Sequence, residues 1–391
     1  MLLEKLLSQS VQQFIIENTG KPVTQLALQK NPFPDVEWTE IVGQIAAREK
    51  AKDKLPTWFT TADILYPGKI SVEQTSSEST ARYKSTLVSG ENLIDLTGGF
   101  GIDDYYFAQR LGNVTHCELN LHLSSIVKHN YEILGVTNVQ CIPGDSLTTL
   151  ETLQKKWDLI YIDPSRRSDA KGKVFLLKDC MPNVPELLDT YFKYSHNLLI
   201  KTAPILDISA GLAELHSVKE IQVIALNNEV KELLWIIEKG FAGTPTLTAV
   251  NLTKDGEDIF TASYEPADEA PYGLPKKYLY EPNAAIMKSG AFDAVAHHYA
   301  ITKLHKHTQL YTSDELIPFA GRRFTIDAII PYQKAEMKPL EGSKMNITTR
   351  NFPLNVEDIR KKWKIKDGGD IYAFFTTNSK NEKVVLVCSK I

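Results

Sequence analysis

The sequence lacks the features of disulfide-rich, metal-binding and membrane-spanning proteins. Its four cysteines, Cys117, Cys141, Cys180 and Cys388, lie far apart and form no CxxC pair, so we expect neither a zinc site nor a disulfide framework. No apolar run approaches membrane-spanning length. The N-terminal stretch MLLEKLLSQSVQQFII has no basic region, continuous apolar segment or small-residue cleavage site, unlike a signal peptide. These absences predict a cytoplasmic protein.

A strong net charge is also absent, because 44 Lys and Arg nearly balance 48 Asp and Glu to give −4. The charge is nevertheless uneven along the chain. Residues 319–391 carry 14 basic residues against 8 acidic ones, or +6, which leaves −10 for the rest. A basic segment on an acidic body predicts a polyanionic partner for that segment. A solvated basic face would have the same composition.

The histidine-rich segment HHYAITKLHKH is not expected to bind a metal. His297, His298, His305 and His307 do not share one face at a spacing of four residues, and no acidic residue accompanies them. Metal sites in proteins need several ligands that converge on one point. No metal site is therefore predicted.

The hydrophobic pattern divides the chain into four segments. Residues 1–65 place apolar side chains at helical spacing, which predicts an N-terminal helical module. Residues 66–240 alternate strand-like with helical runs, which predicts βαβ units and a parallel sheet. Residues 241–318 are predicted to form a hairpin, a linker and a helix-bearing segment. Residues 319–391 alternate again and predict a small basic α+β domain.

A hairpin is predicted at the end of the second segment. The strand-like runs IQVIAL and ELLWIIE are separated by NNEVK, which is too short for a crossover helix. These two strands should therefore be antiparallel and close an otherwise parallel sheet.

A glycine-rich turn follows the first predicted strand, in NLIDLTGGFGID. Glycines and the amides of the next helix N-terminus form a cradle for a nucleotide-like cofactor. The dinucleotide fingerprint needs a third glycine, where this chain has Asp104, and Asp103 with Asp104 would repel a pyrophosphate. A cofactor without phosphates fits better, and S-adenosylmethionine is one. The predicted contacts in this turn are Thr97, Gly99, Phe100 and Gly101.

Four successive predicted strands end at or just before an acidic residue, namely Asp95, Glu118, Asp145 and Asp163. The carboxyl ends of parallel strands meet at one edge of a sheet, where ligands bind. We expect Asp95 to contact the cofactor, Glu118 to accept the ribose hydroxyls, and Asp145 with Ser146 to contact the adenine. Each acid alone could instead cap a helix or a turn.

Taken together, the motifs DLTGGFG, Glu118, GDS and DPSRR resemble those of class I S-adenosylmethionine-dependent methyltransferases. The resemblance covers roughly residues 66–240 and implies a Rossmann-like α/β fold with a seven-stranded sheet. The segments GRRFTID, RNFP and KKWKIKDGGDIYAFFTT resemble the THUMP-like domain of a bacterial methyltransferase group. In most THUMP methyltransferases that domain precedes the catalytic one, whereas here it follows. The resemblance implies an RNA partner, such as tRNA or rRNA.

The DPSRR motif is similar to the Asp/Asn-Pro-Pro-aromatic motif of the amino-methylating members. Asp163 and Pro164 match it, whereas Ser165 replaces the second proline and Arg166 the aromatic residue. The resemblance implies that Asp163 accepts hydrogen bonds from the target nitrogen. Arg166 could stack on a base through its guanidinium plane.

The two arginines of this motif leave other roles open. Arg166 and Arg167 could clamp a phosphate, or they could pair with Asp158 or Asp169. Methylation at a pyrimidine C5 would need a cysteine nucleophile, for which Cys180 is the available candidate, although packing is its expected role.

Further basic residues are predicted to contact the cofactor or the substrate. In SSESTARYKS, Arg82 could pair with the methionine carboxylate and Lys84 could guide a phosphate backbone, although the segment could equally be a solvated loop. Lys201 ends the fifth strand and is a predicted phosphate contact. In the C-terminal domain the predicted RNA contacts are Arg322, Arg323, Lys361 and Lys362.

These expectations favour a methyltransferase that modifies a base nitrogen in RNA. Two alternatives remain at the level of the sequence. The chain could methylate a small molecule or a protein and have a tail that does not bind RNA. It could also be a non-catalytic RNA-binding protein that retains the cofactor pocket.

Overall fold

In a computed structural model of the chain, residues 2–166 and 176–391 are described, except for the side chains of residues 2–3 and 69–71. The predicted phosphate contact Arg167 and its alternative partner Asp169 lie outside the described residues. None of the helices in the described ranges is long and apolar enough to cross a membrane.

The helices, in chain order, are α1 (Leu2–Leu6), α2 (Gln9–Asn18), α3 (Val23–Ala27), α4 (Trp38–Lys54), α5 (Pro56–Thr60), α6 (Lys69–Gln74), α7 (Glu78–Ser85), α8 (Ile102–Ala108), α9 (Leu121–Ile133), α10 (Ser146–Leu153), α11 (Val184–Tyr191), α12 (Ile208–Glu214), α13 (Ala284–Ser289), α14 (Phe292–Tyr299), α15 (Lys334–Met337) and α16 (Val356–Trp363).

The strands are β1 (Asn92–Asp95), β2 (Asn113–Glu118), β3 (Val139–Pro143), β4 (Leu159–Ile162), β5 (Ser165–Arg166), β6 (Cys180–Met181), β7 (Asn197–Thr202), β8 (Val218–Leu226), β9 (Glu229–Glu238), β10 (Thr246–Thr253), β11 (Gly256–Ser263), β12 (Tyr278–Pro282), β13 (Thr302–His305), β14 (Thr308–Ser313), β15 (Gly321–Pro331), β16 (Asn346–Arg350), β17 (Ile371–Thr377) and β18 (Lys383–Lys390).

The chain forms two compact units. The first comprises Met1–Val218 and Trp235–Phe241, and the second comprises Lys219–Leu234 and Ala242–Ile391.

In the first unit, the N-terminal helices share a hydrophobic core with helices of the α/β part. Ile41 and Ile45 of α4 belong to the same buried cluster as Tyr106 of α8 and Val127 of α9. The predicted helical segment therefore packs directly on the elements that follow the glycine-rich turn and the second strand.

The larger sheet has nine strands in the order β11-β10-β8-β9-β7-β4-β1-β2-β3. Strand β1 is parallel to β2 and β4, β2 to β3, and β4 to β7. The central strand β4 reads LIYI and is buried at every position, as expected for a parallel strand covered on both faces. The seven predicted strands are β1–β4 and β7–β9. Strands β10 and β11 extend the sheet because β10 pairs in parallel with β8 over seven residues.

The predicted terminal hairpin is formed by β8 and β9. Only Asn227 and Asn228 separate the two strands, and both have a positive φ, of 50° and 65°. Two such residues form the tight turn that joins neighbouring antiparallel strands, and Asn tolerates this conformation better than most residues.

The second unit contains a seven-stranded sheet in the order β13-β14-β12-β15-β18-β17-β16. Two apolar clusters stabilise it. One is built around Leu279, Phe324 and Phe374, and the other packs Ile359 and Trp363 of α16 on the sheet. Parallel pairing of β16 with β17 allows α16 to cross between them.

Candidate cofactor and active site

The parallel pairings bring the four predicted acids to one edge of the sheet. Asp95 and Glu118 are the last residues of β1 and β2, and Asp163 directly follows β4. Asp145 lies two residues beyond β3, where it is the N-cap of α10. The registers align Glu118 with Pro143, so the strands end at similar heights.

The glycine-rich turn crosses from β1 to β2 through backbone hydrogen bonds. The Gly98 amide donates to the Cys117 carbonyl at 2.8 Å, and the Gly99 amide donates to Oε2 of Glu118 at 2.9 Å. Gly99 and Gly101 have φ of 57° and 75°, in the region that glycine adopts without steric cost. The turn therefore depends on glycine both for its conformation and for its close approach to β2.

Glu118 is positioned to receive a pair of hydroxyl groups. Its two oxygens accept the amides of Gly99 and Asn120, at 2.9 and 2.7 Å. Each carboxylate oxygen has a further lone pair. Leu119 and Leu121, which follow at once, are 72% and 65% exposed and offer apolar surface for a flat ring. Neither leucine was predicted as a cofactor contact from the sequence, although apolar residues that closely follow a strand-end acid are a usable signal.

Asp145 caps α10, which is the alternative role considered for it. Its Oδ1 accepts the amide and the hydroxyl of Thr148, both at 2.8 Å. Asp145 is exposed and Ser146 is half-buried. The expected contact of these two residues with adenine stays a prediction.

Asp95 is buried at the glycine-rich turn, and its expected contact with the cofactor stays a prediction. It is 2% exposed, and its Oδ1 accepts the amide and hydroxyl of Thr97 at 2.7 and 3.0 Å. Burial raises its pKa well above the usual range, and the neighbouring Asp104 carboxylate raises it further. The role of Asp95 is to hold Thr97, whose hydroxyl in turn accepts the Asp163 amide at 2.7 Å.

Phe100, a predicted cofactor contact, has its side chain in the hydrophobic core. Its side chain is 4% exposed and packs near Trp58 and Tyr66, with ring centroids 6.4 and 6.2 Å apart. The aromatic ring belongs to the hydrophobic core of the first unit, so only the backbone of Phe100 can contribute to a cofactor site.

Asp104 and His116 form a fully buried pair behind the turn. Nδ1 of His116 lies 2.8 Å from Oδ2 of Asp104. Burial raises the pKa of Asp104, and the negative charge of Asp103 raises it further. Burial lowers the pKa of His116. These opposite shifts disfavour an ion pair between the two side chains and favour a hydrogen bond between neutral groups.

Asp163 is the acid of this edge that combines solvent access with a lysine partner. Its side chain is 38% exposed, and its Oδ2 lies 2.5 Å from Nζ of Lys201. The pair follows from the register, which places Ile162 beside Ile200. The Lys201 side chain is only 9% exposed, so it holds Asp163 and does not serve as the predicted phosphate contact.

The residues after Asp163 form a short ribbon. Pro164 is buried, and Arg166 is half-buried on β5, where it pairs with Cys180 on β6. Cys180 is fully buried, with its thiol 3.7 Å from the Leu176 carbonyl. This burial agrees with a packing role for the cysteine.

The segment SSESTARYKS forms helix α7 and its N-cap, not a solvated loop, because Ser77 accepts the Thr80 amide. Lys84 is fully buried and pairs with Asp103 at 3.1 Å, so it cannot guide a phosphate backbone. Arg82 is exposed over the Tyr106 ring, 5.6 Å from its centroid. Arg82 and Lys84 lie two residues apart on this helix, so their side chains face different directions.

In the second unit, the predicted RNA contacts fall into two groups. Arg322 is tied to the buried carboxylate of Glu281, which its Nε reaches at 2.6 Å and which Arg350 shares at 3.0 Å. This is a structural ion pair, unlike the predicted phosphate contact. Arg323 is half-buried, whereas Lys361 and Lys362 are exposed on α16.

Gly98 should not tolerate a side chain. A Cβ at this position would overlap the imidazole ring of the buried His116, so Gly98→Ala should lower the free energy of unfolding by about 1–3 kcal/mol through overpacking. Urea denaturation measures the change. Gly43→Ala is the matched control, since a Cβ there meets nothing within 4 Å and alanine favours the helix. Equal stability of Gly98→Ala and the wild type would contradict the packing described.

Asp104→Asn should stabilise the protein increasingly as the pH rises. Above about pH 4 the unfolded chain ionises Asp104, whereas the folded chain keeps it protonated because burial raises its pKa. Each pH unit in this window then costs the wild type about 1.4 kcal/mol, and the amide avoids that cost.

The measurement is the difference in free energy of unfolding between Asp104→Asn and the wild type at pH 5, 6 and 7. The difference should grow in favour of the variant. A difference that stays constant with pH would mean that Asp104 is ionised in the folded protein.

Comparison with known families identifies the C-terminal part of the chain. Residues 278–319 match a family described as a ferredoxin-like domain, and residues 321–390 match one described as THUMP domain-like. No curated protein matches the chain in sequence.

Among solved structures, a candidate methyltransferase from Porphyromonas gingivalis W83 has 29% sequence identity and a TM-score of 0.87, covering 99% of this chain and 98% of that one. Partial matches include a Pyrococcus abyssi tRNA (uracil-54, C5)-methyltransferase with S-adenosyl-L-homocysteine (21% identity, TM-score 0.31, 42% of this chain and 39% of that one). A Bacillus cereus O-methyltransferase in complex with SAH matches at 13% identity (TM-score 0.35, 61% and 100%). Similarity as low as in these two carries no argument.

Seven neighbouring strands of the larger sheet lie in the order β3-β2-β1-β4-β7-β9-β8. If the two-residue strands β5 and β6 are left out and these seven are renumbered along the chain, the order is 3-2-1-4-5-7-6. Together with the two family matches and the Porphyromonas structure, it confirms the resemblance noted in the sequence. The chain has the class I methyltransferase fold, followed by a ferredoxin-like domain and a THUMP-like domain.

Proposed function

We propose that this chain is an S-adenosylmethionine-dependent methyltransferase that modifies a base nitrogen in RNA. The observation that carries the proposal is the placement of Asp163. This half-exposed acid lies at the end of β4, with its amide bound to Thr97 of the glycine-rich turn and its carboxylate paired with Lys201. Cofactor and acceptor groups therefore meet at one edge of the sheet.

The residues at this edge fit the cofactor. Glu118 can accept two ribose hydroxyls, and Leu119 exposes apolar surface beside it. The turn from Gly98 to Gly101 consists of glycines and of Phe100, whose side chain is buried. When bound, S-adenosylmethionine supplies an electrophilic methyl group on a sulfonium. The site offers carboxylates and no exposed cation among these residues, which suits a positively charged ligand.

Asp163 can orient a nitrogen that carries hydrogen. Its Oδ2 is engaged by Lys201, whereas its Oδ1 makes no hydrogen bond with the described residues. That oxygen can accept an N–H from the substrate and hold the nitrogen at about 3 Å from the reacting carbon. The carboxylate also stabilises the positive charge that develops on the nitrogen during transfer. A nitrogen that presents only a lone pair would be repelled.

The second unit favours RNA as the substrate. It contains the THUMP-like domain, and Lys361 and Lys362 extend from α16 into solvent. Nζ of Lys362 lies over the rings of Tyr332 and Trp363, 5.0 and 5.4 Å from their centroids. The rings hold Lys362 in place, and exposed lysines on one helix can neutralise RNA phosphates.

Asp163→Asn should separate cofactor binding from methyl transfer. The variant should bind S-adenosylmethionine within about twofold of the wild type but lose about 100-fold or more in methyl transfer to RNA, since the carboxylate charge is gone. Calorimetry measures the affinity, and tritium transfer to RNA from cells that lack the gene measures the activity.

Two further variants provide comparisons for Asp163→Asn. Glu118→Ala should weaken cofactor binding, and Asp189→Asn, at a side chain that is 88% exposed, should change neither quantity. Full methyl transfer by Asp163→Asn would refute the catalytic role of Asp163. Cofactor binding without transfer by the wild-type protein to any RNA would instead favour a non-catalytic RNA-binding protein.

RNA binding should depend on salt and on the exposed lysines of α16. Replacing Lys361 and Lys362 by Gln should reduce the slope of log affinity against log salt concentration by about 0.7–0.9 for each RNA phosphate that the variant no longer neutralises. Filter binding between 50 and 200 mM salt measures the slope. The control replaces Lys30 and Lys52, which are exposed in the first unit. Identical slopes for both pairs would argue against RNA binding by α16.

A further inference from the structure

Four charged groups of alternating sign lead from the interior of the first unit to Asp163. Lys84 lies 3.1 Å from Asp103, Asp103 lies 3.8 Å from Lys201, and Lys201 lies 2.5 Å from Asp163. The side chains of the first three are 0%, 11% and 9% exposed, and that of Asp163 is 38% exposed. We call this series the charge chain.

The charge chain is held together by two hydroxyl groups. Ser76 donates to Asp103 at 2.9 Å and lies 3.0 and 3.1 Å from the ammonium groups of Lys84 and Lys201. The Tyr161 hydroxyl donates to Asp103 at 2.7 Å. Both lysines therefore meet at one serine, which ties the segment before α7 to β7.

The electrostatics of the charge chain depend on how Lys201 is shared. Burial alone would raise the pKa of Asp103, but the ammonium groups of Lys84 and Lys201 and the hydroxyls of Tyr161 and Ser76 hold it below its usual value. Asp103 is thus a buried anion with Lys84 as its nearer partner. Because Lys84 neutralises Asp103, Lys201 is left to lie closer to Asp163.

We propose that Lys84 is a positioning residue for the methyl transfer, because it neutralises Asp103 and thereby leaves Lys201 to orient the Asp163 carboxylate. Neither Lys84 nor Asp103 contacts Asp163 in the described structure, and Lys84 is fully buried. This proposal rests on the proposed function of Asp163.

The proposal predicts compensation between the two buried charges. In Lys84→Met, Asp103 keeps Lys201 as its nearby ammonium among the described residues and should draw it from Asp163. In Asp103→Asn, the anion that competes with Asp163 for Lys201 is gone and repulsion by Lys84 acts toward Asp163, so the Lys201–Asp163 pair should stay. Removing both charges removes the competition, so Asp103→Asn should rescue Lys84→Met.

The experiment is a double-mutant cycle on the full-length protein. Lys84→Met should lower kcat by about 10- to 100-fold, as expected for a misplaced catalytic group, with the KM for S-adenosylmethionine within about twofold, whereas Asp103→Asn should keep kcat near the wild-type value. The double variant should recover at least about tenfold in kcat over Lys84→Met. Lys50→Met, which breaks an exposed pair with Glu73 at 3.2 Å, is the control and should change neither parameter.

Crystal structures of the variants without ligand provide a readout that does not depend on activity. In Lys84→Met, the distance between Nζ of Lys201 and the nearer oxygen of Asp163 should exceed about 4 Å, the limit of an ion pair. It should stay below that limit in Asp103→Asn and in the double variant. If Lys84→Met does not fold, Lys84→Gln replaces it, because it removes the same charge and can still donate to Ser76.

The outcomes separate this proposal from the function on which it rests. A double variant no more active than Lys84→Met, or an unchanged distance from Lys201 to Asp163 in Lys84→Met, would overturn the positioning role. If the wild type transfers no methyl group to RNA while the distances respond as predicted, the proposed function fails and the charge chain stands.

Discussion

The burial of acidic groups at the carboxyl edge of the parallel sheet is the constraint on which the site depends. An isolated carboxylate in a protein interior is strongly unfavourable. This chain resolves the problem in two ways. Burial raises the pKa of Asp95 and Asp104 and lowers that of His116, which favours their neutral forms, whereas two nearby lysines lower the pKa of Asp103 and favour its ionised form.

Because Asp95, Asp103 and Asp104 are buried, few acidic side chains at this edge remain available to bind ligands. Glu118 and Asp163 reach the ligand side of the edge, and each is fixed by a neighbour. A backbone amide of the glycine-rich turn binds Glu118, and Lys201 binds Asp163. The buried acids stabilise the turn and the lysines that place these two carboxylates. In the proposed function, cofactor binding at Glu118 and methyl transfer at Asp163 would depend on the same buried groups, in line with the need of catalytic sites for preorganised groups.

Much of the fold could be predicted from the sequence because its signals are local. Alternating apolar runs predicted the parallel strands, and NLIDLTGGFGID predicted the turn after β1. The separation of β8 and β9 predicted their hairpin. The pairing of β10 with β8, which enlarges the sheet to nine strands, could not be predicted, because it depends on contacts between segments distant in the chain.

Side-chain roles were harder to predict for the same reason. Lys84 and Lys201 were expected at a phosphate, but each pairs with an acid far along the chain, Asp103 and Asp163. A sequence places a residue along an element without showing which face it occupies. Phe100 therefore read as part of the turn, although its ring packs near Trp58.

A crystal structure with S-adenosylhomocysteine tests the central claim most directly, because it locates the ligand relative to Glu118 and Asp163. The ribose hydroxyls should lie within hydrogen-bond distance of the Glu118 carboxylate, about 2.5–3.0 Å, with the sulfur directed toward Asp163. A ligand bound away from the carboxyl ends of β1, β2 and β4 would contradict it.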